Sequence, residues 1–511
     1  MNLKINKLSL FLVCGILFAC EPDQFSQVNE KQNIPKLNQS EKYPGGDATS
    51  RSINKASFKA PINNISTELK SDFYAGRALA QQPWIKPPTI TNARDGLGPI
   101  YNARTCLACH KNGGRGKAPR DPNEVLFSTL VRVSIPGADK IDGVIQEPNY
   151  GDQIQSQSVS LAHQFRTKVK AEQLLHKEVK PEAYPYLEWK EEIFTYTNGK
   201  KVKLSKPTVV LKQLNYGELH PKVQIGLRVA PPLLGMGLLG AIKQTAIDQL
   251  ADPEDKNKDG ISGRVNQVWD FNLKETRAGR FGLKSNKPDL YNLTAAAFAN
   301  DIGISNPLFP YQPCTKFQKL CLETPNGNDP IKNKKEVDEN KTEQVRTEQV
   351  AVELPKHLLK LTTDFVSQLT VPARRNFNKS EVRRGRNYFY QVGCQSCHQP
   401  SFTTGKSEIE SLSGQVIWPY TDLLLHDMGS ALADGRSDYQ ASGNEWRTPP
   451  LWGVGLSEEV NGNQNYLHDG RAKTIEEAIL WHGGEASKVQ HQFTQLTQIQ
   501  RENLIAFVKS L

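Results

Sequence analysis

Methionine is scarce in this chain: three among 511 residues, the first of them Met1. Any role that demands a methionine thioether as ligand therefore falls on Met236 or Met428. Long apolar runs are equally scarce. After Leu8–Leu17, none approaches the ~20 residues a spanning helix needs, which excludes a polytopic helical membrane protein. No one-signed block of charge dominates either. The 64 Lys and Arg against 54 Asp and Glu leave a formal charge of +10, spread along the chain. There is no compact basic helix and no nucleic-acid motif, which excludes a nucleic-acid reader. The mild basic excess reads as a solvated, slightly basic surface, with docking to an acidic electron donor or an anionic membrane as the alternative. The length implies two or three domains.

Cysteine is sparse as well, with eight residues, and four of them are spent on one pattern. Cys106-Leu-Ala-Cys109-His110 and Cys394-Gln-Ser-Cys397-His398 are two copies of Cys-x-x-Cys-His, the attachment sequence of a c-type haem. The thiols would form thioethers with the haem vinyl groups, and His110 and His398 would be proximal iron ligands. Zinc knuckles or dithiol redox pairs are the alternatives. Zinc would need both pairs at one tetrahedral site, and a dithiol needs no adjoining histidine.

Residues 1–19 read as an export signal, with Lys4 and Lys7 before the apolar run. The following Leu17-Phe-Ala-Cys20 is similar to a bacterial lipobox, which implies lipid on Cys20; an ordinary signal peptide is the alternative. Glu21 in place of aspartate leans towards the outer membrane. The expectation is an exported protein, lipid-anchored on the periplasmic side of the envelope. Cys314 and Cys321 remain, and in an oxidising compartment they read as a local disulfide, with a redox-active pair as the alternative.

Residues 20–65 are polar and read as a flexible tether. Residues 66–322 read as an N-terminal haem domain with a β-containing insertion. It includes a hairpin over Ile193–Leu204 with a type I′ Asn198-Gly199 turn. The charged stretch 323–352 reads as a linker or insertion, and 353–511 as a cytochrome c-like domain. The fold class is therefore mainly α, with haem domains of which the C-terminal one is the clearest. Its first helix should cover Lys379–Val392 and its last about Gln495–Leu511, the two helices that cross beside the haem in cytochromes c.

The far-side iron ligands decide function. Thr474-Ile-Glu-Glu477 is a capping box that starts a helix. Ile475, Ala478, Ile479 and His482 then share one face, which offers His482 to the second haem. A structural histidine is the alternative, and Met236 and Met428 are competing thioethers. For the first haem, His163, His176 and His220 are candidates, and none is placed as well. An open, five-coordinate iron remains the other outcome. Asp255, Asn257, Asp259 and the Ile261 carbonyl match the start of a calcium loop, with Gly260 at the turn. Asn266 stands where a bidentate glutamate is expected.

Longer segments carry a resemblance. They include Asp95-Gly-Leu-Gly-Pro-Ile-Tyr-Asn-Ala-Arg-Thr-Cys106, Arg228-Val-Ala-Pro-Pro-Leu-Leu-Gly235, Asp259-Gly-Ile-Ser-Gly-Arg-Val-Asn266, Arg447-Thr-Pro-Pro-Leu-Trp452 and Tyr466-Leu-His-Asp-Gly-Arg471. In this order they resemble the bacterial di-haem oxidoreductases, described as peroxidases and sometimes labelled thiol oxidoreductases. The C-terminal half is also similar to the diheme cytochrome c peroxidases. The resemblance implies two covalent haems, hydrogen peroxide as oxidant, and a donor protein or quinol-linked chain. In those peroxidases the electron-transferring haem takes a methionine where this chain has His482, which implies a lower potential. The alternatives are an electron-transfer cytochrome with both irons six-coordinate, or an oxygenase or thiol oxidase. Arg228 and Gln153 are candidate acid–base groups for peroxide cleavage.

Overall fold

Two pairs of crossed helices organise the molecule. The computed structural model describes residues 34–87, 94–159, 178–324 and 352–511. The expected leader with Cys20, His163, His176 and nearly all of the charged stretch lie outside them. Leu37–Leu511 forms one unit, distinct from Met1–Lys36. Its main elements, in chain order, are helix α1 (Thr67–Gln81), strand β1 (Thr129–Ser134), the hairpin β2 (Tyr184–Thr195) and β3 (Lys201–Lys212), and strand β4 (Gln224–Val229). Helices α2 (Leu290–Ala297), α3 (Lys356–Ser367), α4 (Ser380–Gln391), α5 (Ile475–Leu480) and α6 (Gln498–Ser510) follow.

Among the described residues helices take about 31%, and the strands form seven two-stranded sheets. The structure is therefore mixed, less helical than the expected mainly-α fold.

Helix α4 buries Val382, Gly385, Arg386 and Phe389, the i, i+3, i+4, i+7 stripe of an amphipathic helix. Helix α6 answers with Leu504, Phe507 and Val508. A Cβ on Gly385 would lie 1.8 Å from the Asn503 carbonyl oxygen, so only glycine lets the backbones touch. The rings of Phe389 and Phe507 then meet at 5.2 Å. The same device recurs earlier in the chain. Gly76 of α1 would put a Cβ 2.1 Å from the Leu361 carbonyl of α3, and Phe73 meets Phe365 at 5.2 Å.

The molecule is thus an interlocked duplication. Pro231-Pro-Leu-Leu-Gly-Met-Gly237 recurs as Pro449-Pro-Leu-Trp-Gly-Val-Gly455. The Gly235 amide donates to the Leu369 carbonyl just past α3, and the Gly453 amide to that of Leu511 just past α6, at 3.1 and 3.0 Å. A Cβ on Gly237 would meet the Ser367 carbonyl, and one on Gly455 the Lys509 carbonyl, each at 2.0 Å. Helix α3 accordingly serves the first Cys-x-x-Cys-His motif: Phe365, Phe73, Cys106 and Leu107 share one cluster. The expected boundary, which assigned 353–367 to the C-terminal domain, does not follow this packing.

Two further expectations are corrected. The tether does not run loose to residue 65. Ala48, Phe58 and Ile62 join the core, and Thr49 pairs in parallel with Val371. Glu41, fully buried, accepts from Arg374 Nη1 at 3.0 Å, Arg386 Nη2 at 2.8 Å and Tyr420 Oη at 3.2 Å. The hairpin is also longer than expected, pairing Tyr184↔Lys212 through Thr195↔Lys201. Its turn is not type I′, because Gly199 has φ +82° while Asn198 has no positive φ. A type I turn closed by a left-handed glycine fits instead.

Candidate functional site

Each Cys-x-x-Cys-His segment makes one helical turn, so that its cysteines, three residues apart, project from one side. Thr105 Oγ1 caps the first turn by accepting from the Ala108 amide at 3.0 Å. Gly393, at φ +91°, lets the chain leave α4 sharply into the second. In both, the histidine amide donates to the first cysteine's carbonyl at 3.0 Å. All four thiols are free, whereas Cys314 and Cys321 are disulfide-bonded. Burial pushes the Cys106, Cys109 and Cys394 thiols up to about 12. Protonated thiols of this kind are poor nucleophiles, which argues against dithiol exchange.

Three histidines share one hydrogen-bond arrangement. His110 Nδ1 donates to the Pro231 carbonyl at 2.7 Å, His398 Nδ1 to that of Tyr420 at 2.9 Å, and His482 Nδ1 to that of Ala478 at 2.7 Å. A carbonyl on Nδ1 selects the tautomer whose Nε2 carries a lone pair, the form that binds metal. Burial holds all three imidazoles below their usual basicity. For His398 the value falls to about 4, through burial and the nearness of His482. No second imidazole acts on His110 in this way.

Both motifs open on one cavity of about 520 Å³, within the range of cofactor pockets. His110, His398, His482, Met236, Met428 and His468 all line it. Its wall also carries half-buried arginines. Arg115 and Arg447 donate to backbone carbonyls and are lowered to about 10 by burial. Arg228 Nη2 and Trp452 Nε1 are buried without an acceptor. An apolar cavity with free thiols, Nε2 lone pairs and donors lacking acceptors fits two haems, whose carboxylates such cations would meet.

The duplication separates the two ends of the cavity. Thr474 Oγ1 accepts from the Glu477 amide at 3.0 Å to start α5, and Asp289 Oδ1 from the Asn292 amide at 2.8 Å to start α2. Both helices follow a tight turn bridged Tyr466↔Ala472 or Phe281↔Lys287. Counting from these caps, the places of Trp481 and His482 are taken by Ala296 and Ala297. An imidazole follows the end of one helix, and methyl groups close the other.

Past Ala297 the helix widens into a π-turn, Phe298–Ile302, a distortion frequent at functional sites. It brings Asp301 to the cavity wall. Burial pushes the Asp301 carboxyl up to about 6, against the Gln153 amide, which donates to Oδ1 at 2.9 Å, and Arg132. Asp301 also acts electrostatically on Cys106 and Cys109. The sequence reading missed this residue; Gln153 acts through it, and Arg228 is engaged by Asp434.

Other candidates fall elsewhere. His220 closes a turn, its Nδ1 accepting from the Lys222 amide at 3.1 Å. In the calcium-like loop, Asp255, Asn257 and Asp259 accept from the Gly260, Asp259 and Ile261 amides. Cys397, Asp422 and His426 lie within 4.8 Å of one another, but His426 is bound to Asp422 at 2.8 Å and Glu485 at 2.7 Å. That arrangement is an ion-pair triad beside the second motif.

The chain belongs to the family described as "Di-haem oxidoreductase, putative peroxidase", whose profile matches residues 40–511. No curated protein matches it. No helix of the described residues is long and apolar enough to cross a membrane.

Proposed function

We propose that the protein is a c-type diheme oxidoreductase that reduces peroxide at its first haem and feeds electrons through its second. The observation that carries this reading is the unequal duplication: His482 follows just past the end of α5, at the place where Ala297 closes the corresponding helix. Cys106, Cys109 and His110 would hold the first haem, and Cys394, Cys397, His398 and His482 the second. When bound, the haems supply iron centres that store electrons and reduce peroxide.

The chain's own residues do the rest. The Pro231 and Tyr420 carbonyls orient His110 and His398 through Nδ1. Ala296 and Ala297 leave room for a small oxidant beside the first motif. Asp301 exchanges a proton at its carboxyl oxygen, at a value near the working pH, as acid–base catalysis needs. Gln153 holds the other oxygen in place. Both sites face one cavity, through which electrons would pass from one to the other. Export and lipid attachment at Cys20 belong to the same proposal, since c-type haem is attached outside the cytoplasm.

The test is peroxide turnover by pre-reduced holoprotein, followed as reoxidation of the haem absorbance. Rapid reoxidation that Asp301→Asn slows about 10²-fold or more supports the reading. Reoxidation no faster than that of a six-coordinate cytochrome c would leave an electron carrier.

A further inference from the structure

The hairpin β2–β3 has an expense that its own fold does not explain. Two-stranded ribbons are marginal by themselves, and this one leaves Glu191, Glu192 and Ile193 exposed. Only its base joins a core, where Leu187 packs with Val131, Tyr150 and Val229. Its tip nevertheless ends in a built contact. Tyr196, 3% exposed, donates from its hydroxyl to Glu476 Oε1 at 2.8 Å. The Arg501 guanidinium of α6 covers the ring at 4.4 Å and Phe194 packs on it edge-on at 5.4 Å. Lys200 Nζ adds a looser pair to Glu476 at 3.7 Å.

Glu476 lies in the first turn of α5, the helix that ends next to His482. Six residues make a helix only about 9 Å long, far too short to hold itself in place. Its position is set by what grips it. The approach to α5 is gripped from the same side. Arg120, ten residues beyond His110, donates to the Gly470 and Arg471 carbonyls at 3.2 and 3.0 Å. Trp189 of β2 lies against that guanidinium at 3.6 Å and donates to the Pro119 carbonyl at 2.9 Å.

We infer that the hairpin is a strap that positions a residue that would hold the second haem: Tyr196, through Glu476, sets where α5 presents His482. This rests on His482 holding that haem. A tilt of about 10° at one end of a 9 Å helix displaces the other end by roughly 1.5 Å, enough to disturb a metal bond. The strap grows from the half that carries the first motif, so it ties the ligand geometry of one haem to the body around the other. Tyr196 and Glu476 are positioning residues; neither lines the cavity.

The test uses the holoprotein with both haems attached. Low-temperature electron paramagnetic resonance and spectroelectrochemical titration are recorded for wild type, Tyr196→Phe, Glu476→Ala, Glu476→Gln and His482→Ala. Thermal melts confirm that each variant is folded. The strap predicts that Tyr196→Phe and Glu476→Ala displace or broaden the second haem's low-spin signal and shift its midpoint potential. The first haem should stay unmoved. Glu476→Gln, which can still accept the tyrosine hydrogen bond, should restore the wild-type signature. If His482→Ala abolishes the low-spin signal while Tyr196→Phe and Glu476→Ala leave signal and potential at wild-type positions, the strap is refuted. If His482→Ala leaves the low-spin signal intact, the ligand assignment fails and takes the strap with it.

Discussion

Replacing Asp301 by asparagine keeps the shape of the side chain and its bond from Gln153 while removing the titrating proton. Burial sets the Asp301 carboxyl at about 6, so roughly a tenth is ionised near pH 5 and nine-tenths near pH 7. Cyanide arrives at a haem as the neutral acid and must lose its proton to bind, which makes its association a probe of a nearby base. In stopped-flow experiments with oxidised holoprotein, the first haem's association rate should rise about tenfold over that interval. Asp301→Asn should flatten the profile and lower the plateau by about 10²-fold or more. The same shift has a stability side. A carboxyl whose folded value lies about two units above its ordinary value destabilises the fold as pH rises from about 4 to 6, by up to about 3 kcal/mol. Asp301→Asn should therefore stabilise the protein at neutral pH and not at pH 4. An unchanged pH slope and a rate within about twofold of wild type would refute Asp301 as the proton acceptor.

Other consequences are testable with the same preparations. Glu41→Ala leaves Arg374 and Arg386 buried without their carboxylate and should cost about 3–5 kcal/mol in urea unfolding. Gly385→Ala and Gly76→Ala force apart helix pairs that touch through backbone and should each cost about 1–3 kcal/mol or more, read as lower melting temperatures; Gly260→Ala, with nothing within 4 Å but φ +85°, should show backbone strain alone. Burial alone would lower the His426 value, but bonds to Asp422, Cys397 and Glu485 raise it to about 12. Its stabilisation is full below about pH 6.5 and declines as pH rises towards 12, so His426→Gln should cost more stability at pH 6 than at pH 9.

Much of the site was legible because its chemistry is local. Cys-x-x-Cys-His is a single turn, and the Thr474 cap and the stripe to His482 are read within nine residues. The crossed helices α4 and α6 came from periodicity in the same way. What sequence reading missed is long-range. The polar composition of residues 38–65 hid Glu41, because a buried carboxylate is defined by Arg374 and Arg386 more than 300 residues away. Asp301 stands in an unremarkable Ala-Asn-Asp-Ile string, and its importance comes from the π-turn and the cavity it faces. The repeat of Pro-Pro-Leu-x-Gly-x-Gly was visible in principle. Divergent flanks and inserted segments disguised it, and with it the meaning of Ala297.

In the proposed function the two irons differ, one open and one held by His482. Low-temperature electron paramagnetic resonance of the lipid-free holoprotein tests it most directly, fully oxidised and then half-reduced, before and after peroxide. A high-spin signal from the first haem, consumed by peroxide, is expected beside a low-spin signal that His482→Ala removes. Two low-spin signals in both states, unmoved by peroxide, would contradict it.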